Sequence, residues 1–243
     1  MKTFVIGDVH GGLKALEQVI EKAHIGSEDT VVFVGDLVDG WSQSAQVIEY
    51  LIQFAEQHTC VFIKGNHDEW CENWLDNRAA PDQWVNHGGQ ETIDSYESIS
   101  EEDKVKHKAF FNAMVDYHVD SENRLFIHAG FTSMHGPDKE IHKSNFMWDR
   151  TLWEMALALD PSLREYSAYY PQRLKLFKEI YIGHTPTTHY NSIDFPINRA
   201  NVWNVDTGAG FKGKISCLNC ASKAYVQSDP VHEMYPEEVG RNK

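Results

Sequence analysis

Apolar residues along this chain gather into short runs at 3–6, 31–34, 61–63, 125–127, 180–182 and 202–205. Each run is rich in β-branched residues and nearly continuous rather than alternating, which is the pattern of a strand buried on both faces of a sheet. Between the first three runs the spacing becomes helical, over 13–24 and again over 42–57, where Val47, Ile48, Leu51, Ile52 and Phe54 recur three and four apart. Strand, helix, strand, helix, strand predicts βαβ units and parallel pairing at the start of the sheet. From about 67 to 120 the pattern is helical and polar, with Trp70, Trp74, Leu75, Trp84, Phe110, Phe111 and Met114 as its apolar positions. This predicts a helical insertion packed over the sheet and forming one wall of a cleft. Residues 145–159 predict another helix, closed by Asp160-Pro161. Strand-like segments at 202–205, 214–218 and 224–227 suggest a second sheet. Residues 228–243 are polar and aperiodic, and predict a peripheral tail.

A length of 243 residues with 42% hydrophobic content suits one large α/β domain, here residues 1–227, rather than two. The net charge of -14 would repel nucleic acid backbones and anionic membranes, and no Lys/Arg cluster offsets it. The apolar start is too short for a signal segment, and no run approaches the ~20 residues of a membrane helix, which points to the cytoplasm. Cys60, Cys71, Cys217 and Cys220 do not form a disulfide framework. Cys60 is expected to face the core, and the Cys217–Cys220 spacing reads as a hairpin turn.

Ligand-type residues follow the apolar runs in compact blocks: Gly7-Asp8-Val9-His10-Gly11, Gly35-Asp36-Leu37-Val38-Asp39, Gly65-Asn66-His67-Asp68, His128-Ala129-Gly130, Gly183-His184-Thr185 and Asp206-Thr207-Gly208. In parallel sheets such strand exits are where ligands collect. The first five blocks, in this order, resemble those of the calcineurin-like metallophosphoesterase superfamily. Within it they resemble the phosphoprotein phosphatase branch, which holds bacterial serine/threonine phosphatases and the symmetrical diadenosine tetraphosphate hydrolases. Residues 84–92 with Ser95-Tyr96 also resemble bacterial members of that branch. The likeness spans about residues 3–227 and implies a four-layer α/β/β/α sandwich of two mixed sheets flanked by helices.

The resemblance further implies that Asp8 and His10 hold one divalent ion, that Asn66, His128 and His184 hold a second, and that Asp36 bridges them. This mixture of oxygen and nitrogen donors suits Mn first, then Fe or Zn. Two carboxylates facing two divalent ions leave a formal surplus of about two positive charges, matched to a phosphate dianion. A third aspartate at position 66 would weaken that match. The resemblance makes a water activated between the ions the nucleophile, with no phosphoenzyme. It makes His67 the general acid, with Asp39 holding the imidazole cationic. Arg150, in the segment Met147-Trp148-Asp149-Arg150, would grip the phosphoryl group bidentately beside Asn66. Trp148 is expected in the core, Glu69 in solvent, and His87 at the border of the cleft.

One departure stands out. Where the family reads GDxVDRG, this chain has Gly40-Trp41 after Asp39, so the second phosphate-gripping arginine is missing. One lost charge-assisted contact would weaken ground-state binding by about 1.5–3 kcal/mol. Arg78 is a candidate replacement, and Trp41 could stack on an aromatic leaving group. The leading expectation is hydrolysis of a phosphomonoester in a protein or peptide, favoured by the Gly183–Thr187 block. A symmetrical diadenosine polyphosphate hydrolase is the alternative, and a non-catalytic phosphate-binding protein with a decayed site is a third reading.

Overall fold

The computed structural model describes residues 1–190 and 193–242. Its first sheet is built on the three parallel strands β1 (Thr3–Ile6), β2 (Thr30–Phe33) and β3 (Thr59–Phe62), linked by helices α1 (Leu13–Ala23) and α2 (Ser44–Ala55). The second contains β4 (Tyr117–Val119), β5 (Arg124–Ile127), β6 (Glu179–Ile182), β7 (Ile197–Arg199) and β8 (Val202–Asn204) in the order β4-β5-β6-β8-β7. Strands β5, β6 and β8 are parallel, and the edge strands β4 and β7 run against them.

By parity, each continuous apolar run divides between a shared inter-sheet core and the helix-side core of its own sheet. On β1, Phe4 and Ile6 face the α1/α2 layer while Val5 faces the opposite sheet; on β2, Val31 and Phe33 face the helices and Val32 the sheet. Strand β5 repeats this, with Leu125 and Ile127 toward its own helix layer and Phe126 toward the first sheet. Phe126 stacks on Tyr181 of β6 at 5.0 Å between ring centroids, inside the inter-sheet core. A helix layer, two sheets and a second helix layer follow directly, because each strand buries both faces.

The structure departs from the sequence-based expectations at several places. Segments 214–218 and 224–227 do not join the second sheet. They supply β9 (Ser216–Asn219) and β10 (Tyr225–Gln227), giving the first sheet the order β10-β9-β1-β2-β3. Strand β9 runs antiparallel to β1, with Leu218 pointing into the inter-sheet core and Cys217 toward the helices. The expected insertion 67–120 is helical through α3 (Asn66–Asn77), Gln90–Ser95 and Glu101–Ala113, but it ends in strand β4. The expected helix 145–159 is broken into Asn145–Trp148 and Thr151–Ala158, because Asp149 is extended and its carboxylate accepts from the Thr151 and Leu152 amides. Cys60 does pack against the helix-side core, and all four cysteines are free.

The tail is not peripheral. Val231 is fully buried, and Tyr235 is 3% exposed, stacked on Trp41 at 5.3 Å. The Tyr235 hydroxyl accepts from the Lys14 amide and donates to Gln43, and Glu238 accepts from the amide and hydroxyl of Ser42. Among the described residues no helix is long and apolar enough to cross a membrane.

Candidate metal centre

Five parallel strands of the two sheets end at one edge of the sandwich, and their exit loops carry the ligand-type residues to a common point. Asp8 and His10 follow β1, Asp36 and Asp39 follow β2, Asn66 and His67 open α3 after β3, His128 follows β5, and His184 follows β6. All eight are at most 8% exposed. Turning these side chains inward requires left-handed backbone at His10, Asp36, Asp39 and His184, with φ of 53°, 52°, 74° and 68°. Non-glycine residues held there cost on the order of 1 kcal/mol or more each, so the surrounding structure must impose the geometry. Glycine precedes a ligand where two loops touch. A Cβ on Gly183 would lie 2.2 Å from Asp8 Oδ1, and one on Gly65 would lie 2.2 Å from Asp36 Oδ1.

Asp68, to which the sequence alone assigns no function, ties the loops together. Its carboxylate accepts from the amides of Asp36 (2.8 Å), Leu37 (2.9 Å) and Gly65 (2.9 Å), joining the β2 exit to the start of α3. Its place in the GNHD block at the third position of a helix is the available signal, since that position faces back toward the N-cap.

The donor atoms fit a pair of cations. His10 Nδ1 donates to Val38 O (3.2 Å) and His128 Nδ1 donates to Val34 O (2.7 Å), so each presents an Nε2 lone pair to the centre. His10 Nε2 lies 3.9 Å from Asp8 Oδ2 and 3.8 Å from Asp36 Oδ2. On the other side, His128 Nε2 lies 3.4 Å from Asp36 Oδ1 and 3.3 Å from Asn66 Oδ1, and His184 Nδ1 lies 3.0 Å from the same Asn66 oxygen. Asp36 belongs to both groups, one oxygen to each. Asp8 Oδ1 and His184 Nε2 are buried with no hydrogen-bond partner among the described residues. Lone pairs converging at these separations repel unless positive charge lies among them.

The ionisation of the protein without ions shows the same demand. Burial, then Asp206 and Asp36, raise Asp8 well above the usual carboxylate range. Burial pulls His128 down, but the Asp36 carboxylate outweighs it and the net shift is upward. Burial lowers His10, helped by Arg241, and lowers His184, helped by His128. The upward shift of His128 and the guanidinium of Arg241, whose Nη1 lies 3.1 Å from His10 Nε2, both answer this shortage of positive charge.

His67 and Asp39 are brought together as expected, Nδ1 to Oδ2 at 2.6 Å. Asp39 also accepts from Trp84 Nε1 (2.7 Å) and Thr92 Oγ1 (2.6 Å). The expected standing ion pair is not what burial produces. It drives the imidazole down to about 3 and the carboxyl up to about 7, so His67 is neutral at pH 7 with Nδ1–H toward Asp39. The donor atoms of His10, Asp36 and His67 also lie within 4.8 Å of one another. The Nδ1 bond to Asp39 leaves the other ring nitrogen of His67 available, so geometry alone does not separate a ligand from a proton donor there.

A cavity of about 110 Å³ opens over this cluster, with Arg150, Arg241, Trp70, Trp148 and His87 in its walls. Arg150 is exposed, and its side chain makes no hydrogen bond or ion pair among the described residues. Trp148 is not in the core: it is 38% exposed, edge-on to Trp70 at 5.2 Å, and Trp70 is edge-on to His67 at 5.1 Å. The helix break at Asp149 is what swings Trp148 and Arg150 toward the cavity. Arg78 is elsewhere, over the Trp74 ring and paired with Glu101. Trp41 is fully buried and donates to Ala209 O, so it stacks on no substrate.

The family described as calcineurin-like phosphoesterase matches residues 1–209. Over 241 aligned residues the chain is 25% identical to the asymmetrical bis(5'-nucleosyl)-tetraphosphatase PrpE of Oceanobacillus iheyensis, covering 93% of this chain and 91% of that one. A crystal structure provisionally assigned as a diadenosine tetraphosphatase superposes with a TM-score of 0.62 at 15% identity, over 93% of this chain and 92% of that one. A serine/threonine phosphatase from Saccharomyces cerevisiae reaches the same TM-score of 0.62 at 14% identity, over 94% of this chain and 80% of its own. The two structural likenesses show a shared fold, which carries no substrate information by itself.

Replacing Asp68 by Ala should lower unfolding free energy by on the order of 3 kcal/mol, since three buried amides lose their acceptor. Urea denaturation of the metal-free protein measures this, and a loss below about 1 kcal/mol would contradict the tie between the loops. Loading with Mn should release protons, more at about pH 6 than at about pH 8, because Asp8 and His128 are shifted toward the protonated forms that a metal must displace, while His10 and His184 are shifted toward the neutral form. Calorimetric titration in buffers of different ionisation enthalpy reads the proton count directly.

Proposed function

Because the chain belongs to the calcineurin-like phosphoesterase family, whose members use a dinuclear metal centre, we propose that it hydrolyses dinucleoside polyphosphates, with Asp8, His10 and Asp36 holding one ion and Asp36, Asn66, His128 and His184 the other. The observation that carries the substrate class is the aromatic wall: Trp70 and Trp148 line a phosphoryl-sized cavity next to His67. A nucleobase has a π-face for these rings, and base stacking on an aromatic side chain is worth about 1–3 kcal/mol. The relatives named as tetraphosphatases support the same class, which replaces the phosphomonoester as the leading reading. Their asymmetrical cleavage also fits better than the symmetrical alternative. A base stacked this close to the general acid brings its own first phosphate over the donor cluster, so the expected products are a nucleoside monophosphate and triphosphate.

Bound divalent ions would supply positive charge against the phosphoryl oxygens and lower the pKa of the attacking water. The chain's own residues do the rest. Arg150 meets the equatorial oxygens, and Asn66 lies against the same phosphoryl group. His67 sits opposite with its Nε2 toward the cavity and its ring fixed by Asp39. Neutral at pH 7, it takes a proton from solvent as the anionic substrate binds and gives that proton to the departing oxygen. Trp84 and Thr92, bonded to Asp39, keep the carboxylate from rotating away from Nδ1.

Mn-loaded protein should turn over diadenosine tetraphosphate to AMP and ATP at least about tenfold faster, in kcat/KM, than a phosphoserine or phosphotyrosine peptide. Equal or greater turnover of the peptide would reverse the assignment, and no metal-dependent release from either would return the protein to the non-catalytic reading. His67→Asn should lower kcat by about 10²-fold or more on substrates with a strongly basic leaving group, and by much less on p-nitrophenyl phosphate. An equal loss on both would remove His67 as the proton donor.

A further inference from the structure

The position where the family motif places its second arginine is a glycine here, and the space beside that glycine is filled. A Cβ on Gly40 would lie 3.0 Å from Arg241 Cγ and 3.5 Å from Arg241 Cδ. Across the passage, a Cβ on Gly210 would lie 2.9 Å from the same Cδ. Two residues without side chains therefore form a slot, and the stem of Arg241 runs through it from the C-terminal tail into the cavity. The slot is bordered at its mouth by Gly240, φ +57°, where a Cβ would lie 2.7 Å from the Trp41 ring. The Arg241 amide donates to Gly210 O at 2.8 Å, and the guanidinium lies 5.1 Å over the Phe211 ring.

We infer that Arg241 is the second phosphate-gripping arginine of this site, delivered in cis by the tail in place of the arginine absent at position 40. This rests on the phosphohydrolase reading given above. Three observations support it. Arg241 shares the cavity with Arg150, His67 and Asn66. Its Nε is buried and has no hydrogen-bond partner among the described residues, so one donor of the guanidinium is unspent. Its Nη1 contact to His10 Nε2 uses the lone pair that a cation would take, and a cation there would free the guanidinium for an anion. The tail is held in register by Tyr235 on Trp41 and by Glu238 on Ser42, the residues that follow Gly40. The chain segment that lost the arginine is thus the dock for the segment that restores one. A bidentate guanidinium matches phosphoryl oxygens in a way a lysine ammonium does not.

The rival assignment is that Arg241 is only a counterion for the buried carboxylates. Substituting Arg241→Ala and Arg241→Lys in the full chain separates the two, using inorganic phosphate binding to the Mn-loaded protein by calorimetry, Mn affinity of the metal-free protein, and steady-state kinetics. A phosphate grip predicts that Arg241→Ala raises both the phosphate Kd and the substrate KM about 10- to 100-fold. It also predicts that Arg241→Lys recovers only part of this and that guanidinium ion, below denaturing concentration, restores phosphate binding to the alanine variant. The inference is overturned if the alanine variant binds phosphate as the parent does while its Mn affinity rises, which is the signature of a counterion. Parent protein that hydrolyses substrate in that case leaves the proposed function standing. Parent protein that neither binds phosphate nor hydrolyses removes that function, and this inference with it.

Discussion

Carboxylates buried beside one another set the terms for the whole loop cluster. Asp8, Asp36, Asp39, Asp68 and Asp206 are all at most 2% exposed and lie at the exits of neighbouring strands. Each has lost water, and several raise one another further through their charges. Such a cluster persists only where positive charge or dense hydrogen bonding offsets it. The chain provides both kinds of offset. Asp68 and Asp39 are wrapped in amide, indole and hydroxyl donors, whereas Asp8 and Asp36 each accept from one amide and otherwise face imidazoles and the space between them. Four of these five carboxylates thereby divide into two pairs with different roles. Asp68 and Asp39 hold the loops and the His67 ring in place, and Asp8 and Asp36 are left short of positive charge in a manner suited to divalent cations.

How much of this was legible in the sequence depends on whether the deciding contacts were local. The strand runs, α1, α2 and the ligand blocks were readable because period and turn chemistry are carried by adjacent residues. The parity of each run even foreshadows the two cores. Strand β9 falls in the first sheet rather than the expected second because its sequence fits either neighbour, and only pairing with β1 nearly the full chain length away decides between them. Trp148 departs from expectation because a large apolar residue in a helical pattern is ordinarily core, and the break at Asp149 that exposes it is a tertiary event.

The tail was the least legible part. Val231, Tyr235 and Gly240 are isolated within polar sequence, so no period announces them. Each finds its place on a surface made by distant residues: Trp41, Gln43 and Gly210. The absence of an arginine at position 40 was visible, yet its replacement was not, because a slot lined by two glycines exists only in three dimensions. The ionisation of His67 was likewise out of reach, since the sequence shows the Asp39 partner but not the dry surroundings that drive the imidazole to neutrality.

The pairing of β1 with β9 carries a consequence for how the molecule comes into being. Strand β1 is synthesised well before its register partners, Asn219, Leu218 and Cys217. Its far edge therefore stays open until they emerge, and the β1 exit loop with Asp8 and His10 is completed only when the hairpin of β9 and β10 arrives. A ribosome-bound nascent chain that stops short of β9 would expose an unpaired hydrophobic edge, which is a template for misassociation. For this protein, completion of the sheet and completion of the site are one late event in biogenesis.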